Sequence, residues 1–143
     1  MVVIGIIGIL AGGLTTLINP VAQFKKARDG IRKSDLRQIQ SALELYRADK
    51  GSYPGTASFP TCGNQFDDGG IPAVVYIKKI PCDPSSSSSY EYSLNASGYC
   101  LRACLENVTD NDRDEIEWGT NNPSCGTLSS CASGTKSYTL QNP

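Results

Sequence analysis

The sequence contains no histidine among its 143 residues, and that absence excludes several kinds of chemistry. Without an imidazole there is no Ser-His-Asp or Cys-His catalytic group and no Cys-x-x-Cys-His haem attachment site. The formal net charge of −1 also lacks the basic excess that is typical of nucleic-acid-binding proteins. Nucleic acid is therefore a disfavoured partner. Since no motif elsewhere in the sequence supports catalysis, we also expect a protein that is not an enzyme.

Charge is unevenly distributed, and the first 24 residues have none. Residues 25–50 contain eight basic and four acidic side chains, a net of +4, whereas residues 51–143 contain five basic and ten acidic ones, a net of −5. These differences predict three regions, namely a hydrophobic helix half over 1–24, an amphipathic helix half over 25–50 and a globular head over 51–143.

The run over residues 1–18 is apolar on every side, unlike the amphipathic surface helix of a globular domain. As a helix it would extend about 27 Å, close to the bilayer core of about 30 Å. A cleaved signal peptide is less favoured, because no basic segment precedes the run. A buried core helix is also less favoured, because a chain of this length is too short to cover a helix that is apolar on all sides. We expect lipid or a bundle of identical helices to bury it. The residues of this predicted polymerisation helix are Val2, Val3, Ile4, Ile6, Ile7, Ile9, Leu10, Leu14, Leu17 and Ile18.

A second helical pattern follows directly, with apolar side chains at steps of three to five residues from position 21 to position 46. Gly51 stands where a left-handed glycine would end a helix. Residues 1–50 therefore predict one long helix. It should kink or locally melt between Gly12 and Pro20, because Gly12 and Gly13 lower helix propensity and Pro20 lacks an N–H.

The head contains short β-type runs separated by turns rich in glycine, proline and serine. Strands are predicted over 73–77, 90–94, 99–105 and 137–140. Together with the helix they predict an α+β fold in which a small antiparallel sheet packs on the amphipathic helix half.

All six cysteines lie in the head, at Cys62, Cys82, Cys100, Cys104, Cys125 and Cys131. An even number in a small domain favours three disulfides formed in an oxidising compartment. Zinc is less favoured because the spacings do not match common zinc knuckles. Six cysteines allow fifteen pairings, of which Cys62 with Cys82 and Cys125 with Cys131 are our expectations.

The first 54 residues resemble type IV pilins and type II secretion pseudopilins. The resemblance rests on residues 2–12 (VVIGIIGILAG), 19–20, 27–29, 32–36, 42–46 and 51–54, and more loosely on 80–84 and 90–92. It implies a pilin-like fold and a homo-oligomeric subunit of a type IV pilus-like filament at the cell surface. The inner membrane would hold the precursor, and pilus assembly machinery would extract it. The alternatives are the major pseudopilin of a type II secretion-like system, or a membrane-anchored adhesin or DNA-binding module.

This resemblance departs at the start of the chain. Family members have a prepilin cleavage site and a short segment ending in a glutamate before the apolar run, whereas Met1 stands there in this sequence. We therefore expect the natural chain to begin further upstream, and no cleavage or N-methylation site is assigned.

An acidic stretch over 110–117 offers a candidate metal site, although no cofactor is otherwise predicted. Alternating Asp110, Asp112 and Asp114 could present oxygens to Ca²⁺, and some pseudopilin heads bind calcium. The glycine of an EF-hand loop is replaced by Glu115, so a solvated acidic loop is favoured over calcium.

Two further patterns have weaker interpretations. The basic stretch over 25–37 could meet acidic lipids or DNA, but interleaved Asp29 and Asp35 favour a solvated helix face, and a contact with the acidic head of a neighbouring subunit also fits. Asn95 and Asn107 begin N-x-Ser/Thr patterns, which are candidate glycosylation sites that also occur by chance.

Overall fold

The computed structural model describes residues 3, 5–7, 19–96, 98–114, 125, 131 and 135–141. Val3, Ile6 and Ile7 are helical and expose 68%, 53% and 60% of their surface. The other members of the predicted polymerisation helix lie outside the described residues, namely Val2, Ile4, Ile9, Leu10, Leu14, Leu17 and Ile18, as do Gly12 and Gly13. Within the ranges just given, no helix is both long and apolar enough to cross a membrane.

The main helix, α1, spans Pro20–Lys50. It begins at Pro20 because Asn19 is extended, with φ −82° and ψ 97°, and its side chain accepts a hydrogen bond from the backbone N–H of Ala22. Proline suits the first helical position, where no N–H is needed. The helical conformation is thus interrupted at Asn19, within the interval where a kink or local melting was predicted, and a separate helix starts at Pro20.

The end of α1 follows the sequence prediction. Gly51 adopts a left-handed conformation with φ 77°, and its N–H donates to the carbonyl of Arg47 at 2.7 Å. This hydrogen bond closes the last turn of α1. The left-handed backbone conformation that it requires costs little for glycine, because glycine has no Cβ.

The head contains two antiparallel sheets after a short 3-10 turn at Thr56–Ser58. The strands are β1 (Phe66–Asp67), β2 (Val75–Ile77), β3 (Glu91–Asn95), β4 (Gly98–Leu105) and β5 (Lys136–Gln141). The first two form a ribbon, and the last three form a sheet in the order β3-β4-β5. The four predicted strands correspond to β2 through β5, whereas the two-residue β1 was not expected.

The core lies where one face of α1 packs on the sheets. Leu36, Ile39 and Leu43 of that face are at most 1% exposed, as are Leu101 and Leu105 of β4. Each such side chain stabilises the fold by about 1.5–3 kcal/mol through removal from water. The arrangement is the predicted α+β fold, with the head covering one side of the helix.

Candidate functional site

Arg32 of α1 binds the head through a buried set of ion pairs. Its side chain is 2% exposed and donates from Nε to Asp83 Oδ2 at 2.6 Å and from Nη1 to Asp29 Oδ1 at 2.7 Å. Glu106 Oε1 lies 3.0 Å from Nη2. Burial lowers the pKa of Arg32, but these carboxylates raise it by more, so the guanidinium stays charged.

Asp29 is 1% exposed and binds backbone as well as Arg32. Its Oδ1 accepts the N–H of Glu106 at 2.9 Å, and its Oδ2 accepts the N–H of Asn107 at 2.7 Å. These N–H groups follow directly after β4. The carboxylate therefore fixes where the chain leaves the sheet relative to the helix.

Arg28 adds a second bond between α1 and the same corner of the head. Its Nε donates to Glu106 Oε1 at 2.7 Å, and its Nη2 also reaches this carboxylate. Hydrogen bonds from Arg28 lower the pKa of Glu106 below its usual range. The acidic and basic regions thus already meet within one subunit through Arg28, Arg32 and Lys33. The alternative that they meet across subunits is not needed to explain these three cations.

The candidate calcium residues are placed differently from one another. Lys33 Nζ lies 2.6 Å from Asp110 Oδ1 and 2.8 Å from Asp112 Oδ2, which puts an ammonium between these two carboxylates. Asp114 instead accepts the Thr139 hydroxyl at 2.6 Å. In the part of the chain that the structure describes, no group of three or more acidic or cysteine side chains could hold a metal ion. Calcium here stays a prediction, and it would have to displace Lys33.

Tyrosine hydroxyls of the head donate to carboxylates on α1. Tyr53 and Tyr99 both donate to Glu44, at 2.9 Å and 3.0 Å, and Tyr90 donates to Asp35 at 2.7 Å. Burial raises the pKa of Tyr90 and Tyr99, and the neighbouring carboxylates raise it further. Asp35 was expected to lie on a solvated helix face among the basic residues, whereas in the structure it accepts a hydrogen bond from the head.

The disulfides connect the head internally. The structure pairs Cys62 with Cys82, Cys100 with Cys125 and Cys104 with Cys131. The first pair is as predicted, but the predicted Cys125–Cys131 pair is wrong. Cys100 and Cys104 are four residues apart on β4, so they share one face of the strand, and each binds a cysteine from the segment before β5.

The two candidate glycosylation sites differ in their surroundings. Asn107 Oδ1 accepts the Thr109 hydroxyl at 2.9 Å, so the two side chains of that pattern bind each other. Asn95 ends β3, and Ser97 lies outside the described residues. Glycosylation at either position stays a prediction.

The face of α1 that the head leaves uncovered has a row of uncharged side chains at steps of three and four residues. All of its members are exposed, and Phe24, Ile31 and Leu45 are 65%, 48% and 59% exposed. We call it the helix stripe, which consists of Phe24, Ala27, Ile31, Ser34, Gln38, Ser41, Leu45 and Ala48. This 3-4 spacing is that of a helix–helix packing seam.

Comparison of the sequence with known proteins shows which family the chain belongs to. A family model described as type II secretion system (T2SS), protein G, matches residues 19–99, which is more than half of the chain. The chain belongs to this family. The type II secretion system core protein G of Pseudomonas aeruginosa is 29% identical over 140 residues, covering 82% of this chain and 89% of that protein. No solved structure matches the chain significantly.

Membership of the protein G family confirms the resemblance to pilins and pseudopilins. Both matches are to proteins named for type II secretion, which supports the secretion alternative better than the type IV pilus interpretation. Sequence reasoning missed the buried positions of Asp29 and Arg32. Their spacing with Leu36, Ile39 and Leu43 at steps of three and four residues was the available signal.

Proposed function

We propose that this chain is the major pseudopilin of a type II secretion-like system, a structural subunit without catalytic activity. In this proposal the apolar residues 1–18 hold the subunit in the inner membrane before assembly. Subunits then leave the membrane and polymerise into a filament that serves protein export. The machinery of the secretion system is the expected partner, together with further copies of the chain.

The observation that carries the proposal is the helix stripe, in a chain of the protein G family. The head covers only one side of α1, and the opposite side offers uncharged, partly apolar side chains along the whole helix. Ion pairs and tyrosine hydrogen bonds hold the head against the helix, so assembly through the helix stripe would position the heads in register. Phe24, Ile31 and Leu45 of this row are exposed in the single chain, and a helical polymer would bury them.

The test places a charge on the helix stripe in the organism that makes the protein. Ile31→Glu and Leu45→Glu are introduced separately into the complete chain, with Val108→Glu as the control. Val108 is an apolar head residue that is 42% exposed, so the control adds the same charge at a comparable exposed position. We expect both helix variants to lose filament assembly and export of the secreted protein, while the control retains them. Circular dichroism and disulfide mapping check that each variant folds.

The readouts separate the proposal from its alternatives. Loss of export without filaments on the cell surface supports the secretion function. Filaments of this chain on the cell surface, with export that does not depend on the chain, would instead support the type IV pilus interpretation. Self-association and surface display that survive deletion of residues 1–18 would contradict both filament interpretations.

A further inference from the structure

The first turns of α1 extend beyond the part of the helix that the head covers. Asp29 is the first buried residue of the helix, and none of the residues from Pro20 to Arg28 is buried. Val21 and Phe24 are 60% and 65% exposed, although both are apolar. This projecting segment directly follows the apolar residues 1–18.

All charges of the projecting segment are positive. The first acidic residue of the whole sequence is Asp29, and the first turn of α1 contains no acidic side chain. Lys25 and Lys26 are exposed and make no ion pair within the described residues. Arg28 differs, because it binds Glu106 of the head.

The two nearest acids on α1 do not reach these lysines. Asp29 binds Arg32 and two backbone N–H groups. Asp35 lies ten residues beyond Lys25, about 15 Å along the helix, and accepts the hydroxyl of Tyr90. The interleaved aspartates therefore do not neutralise this end of the helix, contrary to what their sequence positions indicated.

We infer that Lys25 and Lys26, beside Val21 and Phe24, form a binding surface for the headgroups of anionic phospholipids. This inference rests on the proposed membrane anchorage of residues 1–18. Lys25 lies about 7.5 Å along the helix from Pro20, which places its ammonium at the depth of the polar layer when the apolar run fills the hydrocarbon core. Lysine extends towards phosphates from such a position, and the apolar Phe24 can enter the boundary between headgroups and acyl chains.

A neighbouring head is the less favoured partner for the two lysines. Glu106, Asp110 and Asp112 lie on the head at the end nearest the projecting segment, and all three already bind Arg28 or Lys33 of their own chain. An anionic membrane surface offers many phosphates without breaking those pairs. Subunits that have not yet assembled would then be retained in anionic regions of the membrane.

The test measures lipid selectivity of the complete chain in vesicles. The protein is reconstituted into phosphatidylcholine vesicles containing 30% phosphatidylglycerol, and electron paramagnetic resonance of spin-labelled lipids compares the association of the two headgroups. We expect a preference for phosphatidylglycerol that Lys25→Gln with Lys26→Gln reduces by up to about fivefold for each lysine. The preference should also shrink between 0.01 M and 1 M salt, as the Debye length falls from about 30 Å to about 3 Å.

Two variants provide matched controls. Lys78→Gln with Lys79→Gln removes two adjacent exposed lysines from the head and should leave the preference unchanged. Lys25→Arg with Lys26→Arg keeps both charges and should retain it. An equal loss in the head variant would mean a general effect of net charge and would overturn the inference.

The remaining outcomes separate this inference from the proposed function. Flotation of the chain with pure phosphatidylcholine vesicles reports anchorage alone, and failure to float would overturn both. Anchorage with no preference for phosphatidylglycerol would overturn only the lipid surface. An unchanged lipid preference in the Gln variant, with filament yield reduced, would assign the two lysines to a neighbouring subunit instead.

Discussion

Asp29 and Arg32 lie one turn apart on α1 and form an ion pair of 2.7 Å in which the two side chains are 1% and 2% exposed. Both then bind the head, Asp29 through two backbone N–H groups and Arg32 through Asp83. A buried ion pair contributes little net stability when compared with apolar residues of similar volume. The pair instead fixes the orientation of α1, because Asp29 and Arg32 reach their partners at only one rotation and one axial position of the helix relative to the head.

Removal of Arg32 should destabilise the protein strongly. Arg32→Ala leaves Asp29 buried without its cation and removes two hydrogen bonds that Asp83 accepts from the guanidinium. We expect the free energy of unfolding to fall by about 3–5 kcal/mol, the usual cost of breaking a buried pair from one side. Urea denaturation of the detergent-solubilised chain, followed by circular dichroism, measures this change.

Arg37→Ala is the matched control for that substitution. Arg37 is an exposed arginine on the same helix and makes no ion pair within the described residues. We expect its replacement to change stability by at most about 0.5 kcal/mol. Similar losses in the two variants would show that helix propensity, and not the buried pair, determines the effect.

Acid should destabilise the protein through Asp83. Burial raises the pKa of this carboxyl, but hydrogen bonds from Arg32 and Ser85 lower it by more, so its pKa in the folded protein is below the ordinary value. Such a group stabilises the fold above its unfolded pKa of about 4, and that contribution is lost as the pH falls towards the folded pKa. Urea midpoints should therefore decline below about pH 5. Asp83→Asn should be less stable at pH 7 and show a shallower decline, and an unchanged slope would contradict this assignment.

Much of the fold could be predicted from residue spacing. The period of the apolar residues identified α1, alternation identified four strands, and Gly51 marked the helix end because only a glycine suits that backbone conformation. The start of α1 was less clear, since Pro20 was interpreted as a break within a helix. Asn19 and Pro20 together form a capped start, and that pair was the informative signal.

The site was less predictable because charge type and spacing gave opposite indications. Asp29 and Arg32 occupy the same face as Leu36 and Ile39, but charged residues are usually solvated, so they were assigned to the exposed face. The partners that make burial possible, above all Asp83, are far away in sequence. Only the assembled fold brings them together.

Alkaline pH should weaken the attachment of the head to α1 through its tyrosines. Burial and the Asp35 carboxylate raise the pKa of Tyr90, so this phenol stabilises the fold below its unfolded pKa of about 10, and the contribution is lost as the pH rises further. Tyr90→Phe removes the 2.7 Å hydrogen bond to Asp35 and should cost about 1–2 kcal/mol at pH 7. Its stability should also decline less steeply above pH 10. Tyr46→Phe is the control, because the Tyr46 hydroxyl makes no hydrogen bond within the described residues, and equal costs would contradict the prediction.

The disulfides allow a comparison in which loop length is nearly constant. Cys62–Cys82 and Cys100–Cys125 join residues 20 and 25 positions apart, so loss of either should cost about 3 kcal/mol through the entropy of the unfolded chain. Cys100 and Cys125 are also buried at 1% and 0% exposure, whereas Cys62 and Cys82 are only partly buried.

Replacing both cysteines of a pair by serine should therefore destabilise the protein more at Cys100 and Cys125, because two hydroxyls are then left in a buried site. The sulfur positions there receive long contacts, from Asn95 Nδ2 at 3.9 Å and from Gln141 Nε2 at 3.5 Å. Urea denaturation of the two double variants gives the difference, after peptide mapping has verified the remaining bonds. Equal losses would mean that loop entropy alone determines what each bond contributes. A larger loss at Cys62 and Cys82 would contradict the burial argument, because those two residues are the more exposed pair.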